Sequence, residues 1–184
     1  VVCSRPSPIG AGLFDMAILP RHQWHHGDST AVRVVGAPTH VTPQGVVWRR
    51  EQLAADGAET AGEALGLLFG GNDRRYTWSL DAARKVVESL IAVANRADRR
   101  IAGAVAGRTP ADVTDYIRSR VTQSPLCAFS AFPDDDPATP NVVEAVLAHS
   151  LWTAVTVDSF SMVCEAASGG TPVALVEIPA RRPD

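Results

Sequence analysis

The run Thr156-Val157-Asp158-Ser159-Phe160-Ser161-Met162-Val163-Cys164-Glu165 gathers the residues best suited to chemistry in this chain. An apolar stretch, Leu151 to Val157, stops at Asp158-Ser159, and a short helical segment follows to about Ser168. Gly169-Gly170 ends that segment, and a second apolar stretch runs from Pro172 to Val176. The order is strand, polar turn, helix, glycine stop, strand. It places Asp158, Ser159 and Ser161 at a helix N-terminus beside the carboxyl end of a strand, where open α/β sheets bind ligands. The unpaired N–H groups and positive dipole end there suit an anion. Asp158, Ser159 and Ser161 also suit helix capping with no ligand at all. Glu165 lies further along the same small-residue helix. Its carboxylate could accept both hydroxyls of a ribose, or sit half-exposed as most helix glutamates do.

Two further strand ends carry candidate ligand groups. Leu67-Leu68-Phe69-Gly70-Gly71-Asn72 ends a strand in paired glycines, which let backbone approach a phosphate closely and equally serve a tight turn. Gly107-Arg108-Thr109-Pro110 follows the next strand, where Arg108 could clamp a diphosphate and Thr109 could cap a helix. His22 directly follows an earlier strand and is the candidate catalytic base. His22, His25, His26 and Asp28 match no strong zinc spacing, so no metal is expected. No nucleophile elbow is present.

The elements that must hold these residues follow from periodicity. Strands are expected at Leu65–Phe69, Ile101–Ala106, Leu126–Ala131, Trp152–Val157 and Val173–Ile178, with a helix in each gap. The first helix, about residues 80–96, carries the stripe Leu80, Ala83, Val87, Leu90, Ile91 and Ala94. The second opens on Thr109-Pro110-Ala111-Asp112, with Thr109 as cap and Pro110 at the first helical position. The third opens on Asn141-Val142-Val143-Glu144, which resembles a capping box. Alternation of this kind predicts a Rossmann-type parallel sheet with helices on both faces. Residues 1–42, with strands at Asp15–Pro20 and Val32–Gly36, read as part of a preceding α/β domain. Residues 43–63 read as an interdomain linker with at most one short helix, and 64–184 as the Rossmann-like domain.

Composition bounds the partners. A net charge of −3 gives no basic patch, so nucleic acid is excluded as a partner. Sixteen of the 17 basic residues are Arg and only Lys85 is Lys, a bias that suits phosphate and that coding bias also explains. Cys3, Cys127 and Cys164 are an odd count; Cys127 and Cys164 read as buried small hydrophobes, and a reducing, cytoplasmic setting fits. No apolar run approaches membrane-span length. The chain opens on Val1-Val2 and closes soon after a strand, so it reads as a fragment of a longer protein.

Several of these pieces resemble the mitochondrial-fission ELM family. Phe14-Asp15-Met16-Ala17-Ile18-Leu19-Pro20-Arg21-His22 resembles its strand ending in Pro-x-His-Asp, with Gln23 in place of the Asp. Val35-Gly36-Ala37 resembles its Gly-Ala motif, and Phe69-Gly70-Gly71-Asn72 its glycine turn. Gly107-Arg108-Thr109-Pro110 resembles its Ser-Arg-Arg-Thr-Pro motif, with Gly107 where an Arg is usual. Thr156 to Val173 is the nearest match. The resemblance, taken as to the family's bacterial branch, implies a GT-B-like fold and a nucleotide-sugar donor as substrate, with no cofactor. Gly70, Gly71, Asn72, Arg108, Thr109, Asp158, Ser159, Ser161 and Met162 would then line the diphosphate, Glu165 would hold the ribose, and catalysis would be metal-independent. The competing expectation is a non-catalytic adaptor that keeps the fold and recruits a protein partner, peripherally at the inner face of a membrane.

Overall fold

A computed structural model describes residues 1–3, 9–26, 29–135 and 141–180. The chain divides into two compact units, Val1–His40 and Val41–Asp184. The first unit holds a three-stranded parallel sheet of β1 (Val2–Cys3), β2 (Ala17–Pro20) and β3 (Ala31–Val34), in that spatial order. Ala17 and Leu19, two positions apart on β2, point the same way and are buried with Ala11 against Val2 and Ala31. A single 3-10 turn, Arg21–Gln23, follows β2 directly.

The second unit alternates helix and strand throughout. Its elements are α1 (Pro43–Ala55), β4 (Ala64–Phe69), α2 (Leu80–Ala97), β5 (Ile101–Val105) and α3 (Ala111–Thr122). They continue with β6 (Cys127–Ala131), α4 (Val142–His149), β7 (Ser150–Thr156), α5 (Phe160–Ser168) and β8 (Val173–Val176). The five strands are all parallel and lie in the order β6-β5-β4-β7-β8. Strand order therefore runs outward from β4 in one direction, then reverses and continues from β7 on its other side. This is the doubly wound, Rossmann-like pattern, and it opens a crevice where β4 and β7 diverge at their carboxyl ends.

β4 shows why both faces are covered. All six of its residues are buried. Leu65, Leu67 and Phe69 face α2 and α3, meeting Ala83, Val87, Leu90 and Ile91 of the predicted α2 stripe and Val113, Ile117 and Val121 of α3. Ala64 and Leu68 face the other way, toward Val46 of α1, Val146 and Leu147 of α4 and Ala166 of α5. Between them, Gly66 leaves room for Ser150 and Thr153 of β7, whose side chains a Cβ would strike. On the α2–α3 side, Arg120 pairs bidentately with Glu88 at 2.6 and 2.9 Å while the Tyr116 hydroxyl donates to the same carboxylate. The Arg120 guanidinium first, then the Tyr116 hydroxyl, pull the Glu88 carboxyl down to about 2. The pair is solvent-facing, so its contribution at neutral pH is small.

Helix ends follow local chemistry in most places. The Ser79 side chain accepts from Ala82 N at the start of α2, and Asn141 accepts from Glu144 N at the start of α4, as the capping-box reading predicts. Gly170, at φ 79°, turns the chain out of α5. Pro110, not Thr109, is the residue that flanks α3, and no side chain caps that helix. The segment expected to be a connector carries the 13-residue α1. Thr42 caps it by accepting from Gly45 N at 3.1 Å, and Pro43 occupies its first turn. Cys127 and Cys164 are half-buried rather than fully enclosed, and Cys3 is exposed.

Arg50 fastens α1 to the far end of the unit. Its guanidinium donates to the carbonyls of Leu147, Ala148 and Ser150 at the end of α4, where Leu147 O also accepts from Ser150 N–H and Ala148 O from Gly62 N–H. Arg50→Ala should lower unfolding stability by about 2 kcal/mol, the scale of hydrogen bonds made by a charged donor. Chemical denaturation monitored by far-UV circular dichroism measures this, and an unchanged midpoint would remove the role assigned to Arg50.

Candidate functional site

The crevice between the carboxyl ends of β4 and β7 collects most of the residues singled out in the sequence. Gly70 follows β4, and its backbone is held from both sides. Gly70 N–H donates to the Thr156 Oγ1 at 2.8 Å, and the Thr109 Oγ1 donates to Gly70 O at 2.5 Å. Thr109 is thus spent on a neighbouring strand end rather than on capping α3. Asn72 N–H donates to Arg108 O at 3.1 Å, which stitches the β4–α2 loop to the β5–α3 loop. The Asn72 Oδ1 accepts from Trp78 N at 2.7 Å and folds the first loop back on itself.

Asp158 sits at the centre of this arrangement and is only 3% exposed. Its Oδ2 accepts from the Trp78 indole Nε1 at 2.8 Å. Its Oδ1 is buried and meets no hydrogen-bond donor among the described residues. A buried carboxyl oxygen without a donor is costly, and such atoms concentrate where a ligand or water completes the bonding. The carboxyl group lies flat over Gly70: a Cβ built there would stand 2.6–2.7 Å from its three atoms. A Cβ on Gly71 would strike the backbone of Arg108 and Thr109. Both glycines are therefore required by close approach of protein to protein at this point.

Ser159 is buried and makes no capping bond, and its Oγ lies 3.5 Å from the Ser161 Oγ. Ser161 is exposed, Met162 packs partly into the α4-side core, and Glu165 is half-buried. Ser161 and Glu165 are four residues apart and share one helix face. Burial pushes the Glu165 carboxyl above the ordinary glutamate range. Arg108 is exposed at the loop tip.

His22 belongs to the first unit, in the turn that follows β2, and is exposed. Among the described residues no three His, Cys, Asp or Glu side chains are placed to hold a metal ion, and Asp28 lies outside those residues. Sequence reasoning missed Trp78 as part of the crevice and, though it set Thr156 at the head of the strand-turn-helix run, gave it no role. A tryptophan in a loop and a threonine in an apolar strand acquire their roles only from residues some 80 positions away. Gly71→Ala should destabilise the second unit by about 1–3 kcal/mol, because the methyl has rigid backbone and no side chain to displace. A urea midpoint equal to that of the parent chain would mean the two loops are not held together as described.

No curated protein matches this chain, and no solved structure does. A family model, Mitochondrial fission ELM1, matches residues 1–183. The match corrects the identity expected from the sequence. It runs over nearly the whole chain and assigns the family alone, so the narrower identity of a GT-B-like, bacterial-branch fragment is withdrawn. With its Rossmann-like unit in place, the chain belongs to the mitochondrial fission ELM1 family.

Proposed function

We propose that the second unit binds a nucleotide diphosphate, in the form of a nucleotide-sugar, and acts as a glycosyltransferase-like protein. The observation that carries this reading is the crevice at the strand-order reversal. There, the start of α5, with no capping bond from the Ser159 side chain, and the buried Asp158 stand at the carboxyl ends of β4 and β7, and the half-buried Glu165 lies further along the same helix. In this reading the α5 N-terminus faces the diphosphate and Arg108 offsets charge on the leaving group. Glu165 accepts the ribose hydroxyls. Gly70, Gly71 and Asn72 shape the floor, and Thr109 fixes it. Helix dipole and Arg supply the electrostatics that a metal would otherwise provide. The setting that goes with this chemistry is the cytoplasm.

A second reading, a non-catalytic adaptor that keeps the fold, is favoured by one observation. Val47 and Trp48 of α1 are exposed, Trp48 by 61%, beside a shallow apolar groove with Pro43. Among the described residues no helix is long and apolar enough to cross a membrane.

Thermal unfolding with nucleoside diphosphates and their sugars separates the two readings. A ligand that binds only the native state stabilises it, by about 2.7 kcal/mol at a hundred times its dissociation constant. The nucleotide reading expects one base class to raise the midpoint; no shift with any nucleotide would favour the adaptor. Glu165→Ala should weaken uridine nucleotide binding by about tenfold, the scale of lost hydrogen bonds from a charged group. Unchanged affinity removes the ribose role. In the parent chain affinity should fall as pH drops through the raised Glu165 value, because the protonated carboxyl accepts fewer bonds. The same burial makes Glu165 slightly destabilising at neutral pH, a cost relieved on acidification.

A further inference from the structure

The floor of the crevice poses an electrostatic problem. Asp158 is the buried group nearest Gly70, and a phosphate brought down to that turn would meet a carboxyl rather than a cation. The glycine turn cannot hold a diphosphate alone. The required positive charge lies on the loops above it.

Arg74 and Arg75 follow the glycine turn in the β4–α2 loop, and both are exposed. The loop that bears them is not slack. The Asp73 Oδ1 accepts from Arg75 N and Tyr76 N, each at 2.7 Å, and Asp73 N–H donates to Tyr76 O. Asn72, two residues before Arg74, is bonded to the backbone of Arg108. Two residues of chain span at most about 7 Å, so Arg74 and Arg108 rise from neighbouring stems. Elsewhere in this unit Arg84, Arg99, Arg100, Arg118 and Arg120 each meet a carboxylate within 4 Å. Among the described residues no such partner stands beside Arg74, Arg75 or Arg108.

We propose that Arg74, Arg75 and Arg108 form one anion clamp over the carboxyl edge of the sheet, and that its ligand group is a pyrophosphate. The inference rests on the nucleotide reading for its location and deepens it by assigning phosphate recognition mainly to the β4–α2 loop. Guanidinium forks pair bidentately with phosphate oxygens, and three cations on two stitched loops suit two linked phosphates. A single phosphomonoester, at about −1.5 to −2, would leave part of the clamp unmatched.

The test uses the full chain, titrated calorimetrically with inorganic pyrophosphate, uridine diphosphate and uridine, and assayed with phosphatidylglycerol vesicles. R74Q/R75Q should weaken pyrophosphate and uridine diphosphate by about tenfold or more while sparing uridine. R74K/R75K should restore part of the loss, and R96Q, on the last turn of α2, should change nothing. Circular dichroism of each variant confirms the fold. Uridine diphosphate binding that ignores R74Q/R75Q overturns the clamp and leaves the nucleotide reading intact. Arginine-dependent binding of pyrophosphate without any nucleoside diphosphate sustains the clamp and sinks the nucleotide reading. Arginine-dependent binding to vesicles without pyrophosphate would assign the arginines to a lipid surface and overturn the proposal, as would no binding of any probe.

Discussion

Gly70 ends the central strand with both of its backbone groups taken by side chains from neighbouring strand ends. Its N–H goes to Thr156 of β7, and its carbonyl is reached by Thr109 beyond β5. A parallel sheet leaves its carboxyl edge with backbone groups that the ladder no longer serves. Here two threonines serve them and set the distance between three strand ends at once. The carboxyl of Asp158 then rests on the bare Cα of Gly70, and Trp78 is drawn over it. The loops that carry Asn72 and Arg108 can meet only because Gly71 has no side chain. Everything attributed to the crevice depends on this small knot of threonine, glycine and aspartate.

Two Thr-Pro pairs show what the sequence could and could not disclose. Thr42-Pro43 and Thr109-Pro110 are locally alike, and only the second is predicted to open a helix. Thr42 does cap α1, accepting from Gly45 N. Thr109 turns instead to Gly70, 39 residues earlier, and α3 begins with no side-chain cap. A cap is a local bond that competes with any better-placed acceptor, and burial at the strand edge decided the competition. The strands and α2 were legible because their burial pattern is periodic along the chain. α1 was not, because only Val46 on it is fully buried, and its apolar residues Val47 and Trp48 face outward. A helix held by one buried side chain, a cap and the reach of Arg50 leaves little periodicity to read.

The candidate site was legible to a similar degree. Asp158, Ser159 and Glu165 stand where the strand-turn-helix pattern puts them. Their bonding differs from what capping preferences suggest: Asp158 is committed to an indole, and Ser159 caps nothing. The glycines were recognised as places of close approach, but the approaching partner is the protein's own backbone and carboxyl. Spacing identifies where a small residue is needed; only the three-dimensional neighbour says for what.

The strand order also sets how much chain each closure must span. β4, β5 and β6 are contiguous neighbours in both chain and sheet, so residues 64–131 can zip together through short right-handed crossovers. β7 must instead return past that finished half to pair on the opposite side of β4, and the bond between Gly70 and Thr156 closes across 86 positions. That long closure carries the larger entropic penalty. The crevice thus lies along the seam that joins the most distant segments of the sheet. A molecule gripping both lips of it would act as a clasp on the fold, slowing the opening of the seam as well as occupying it.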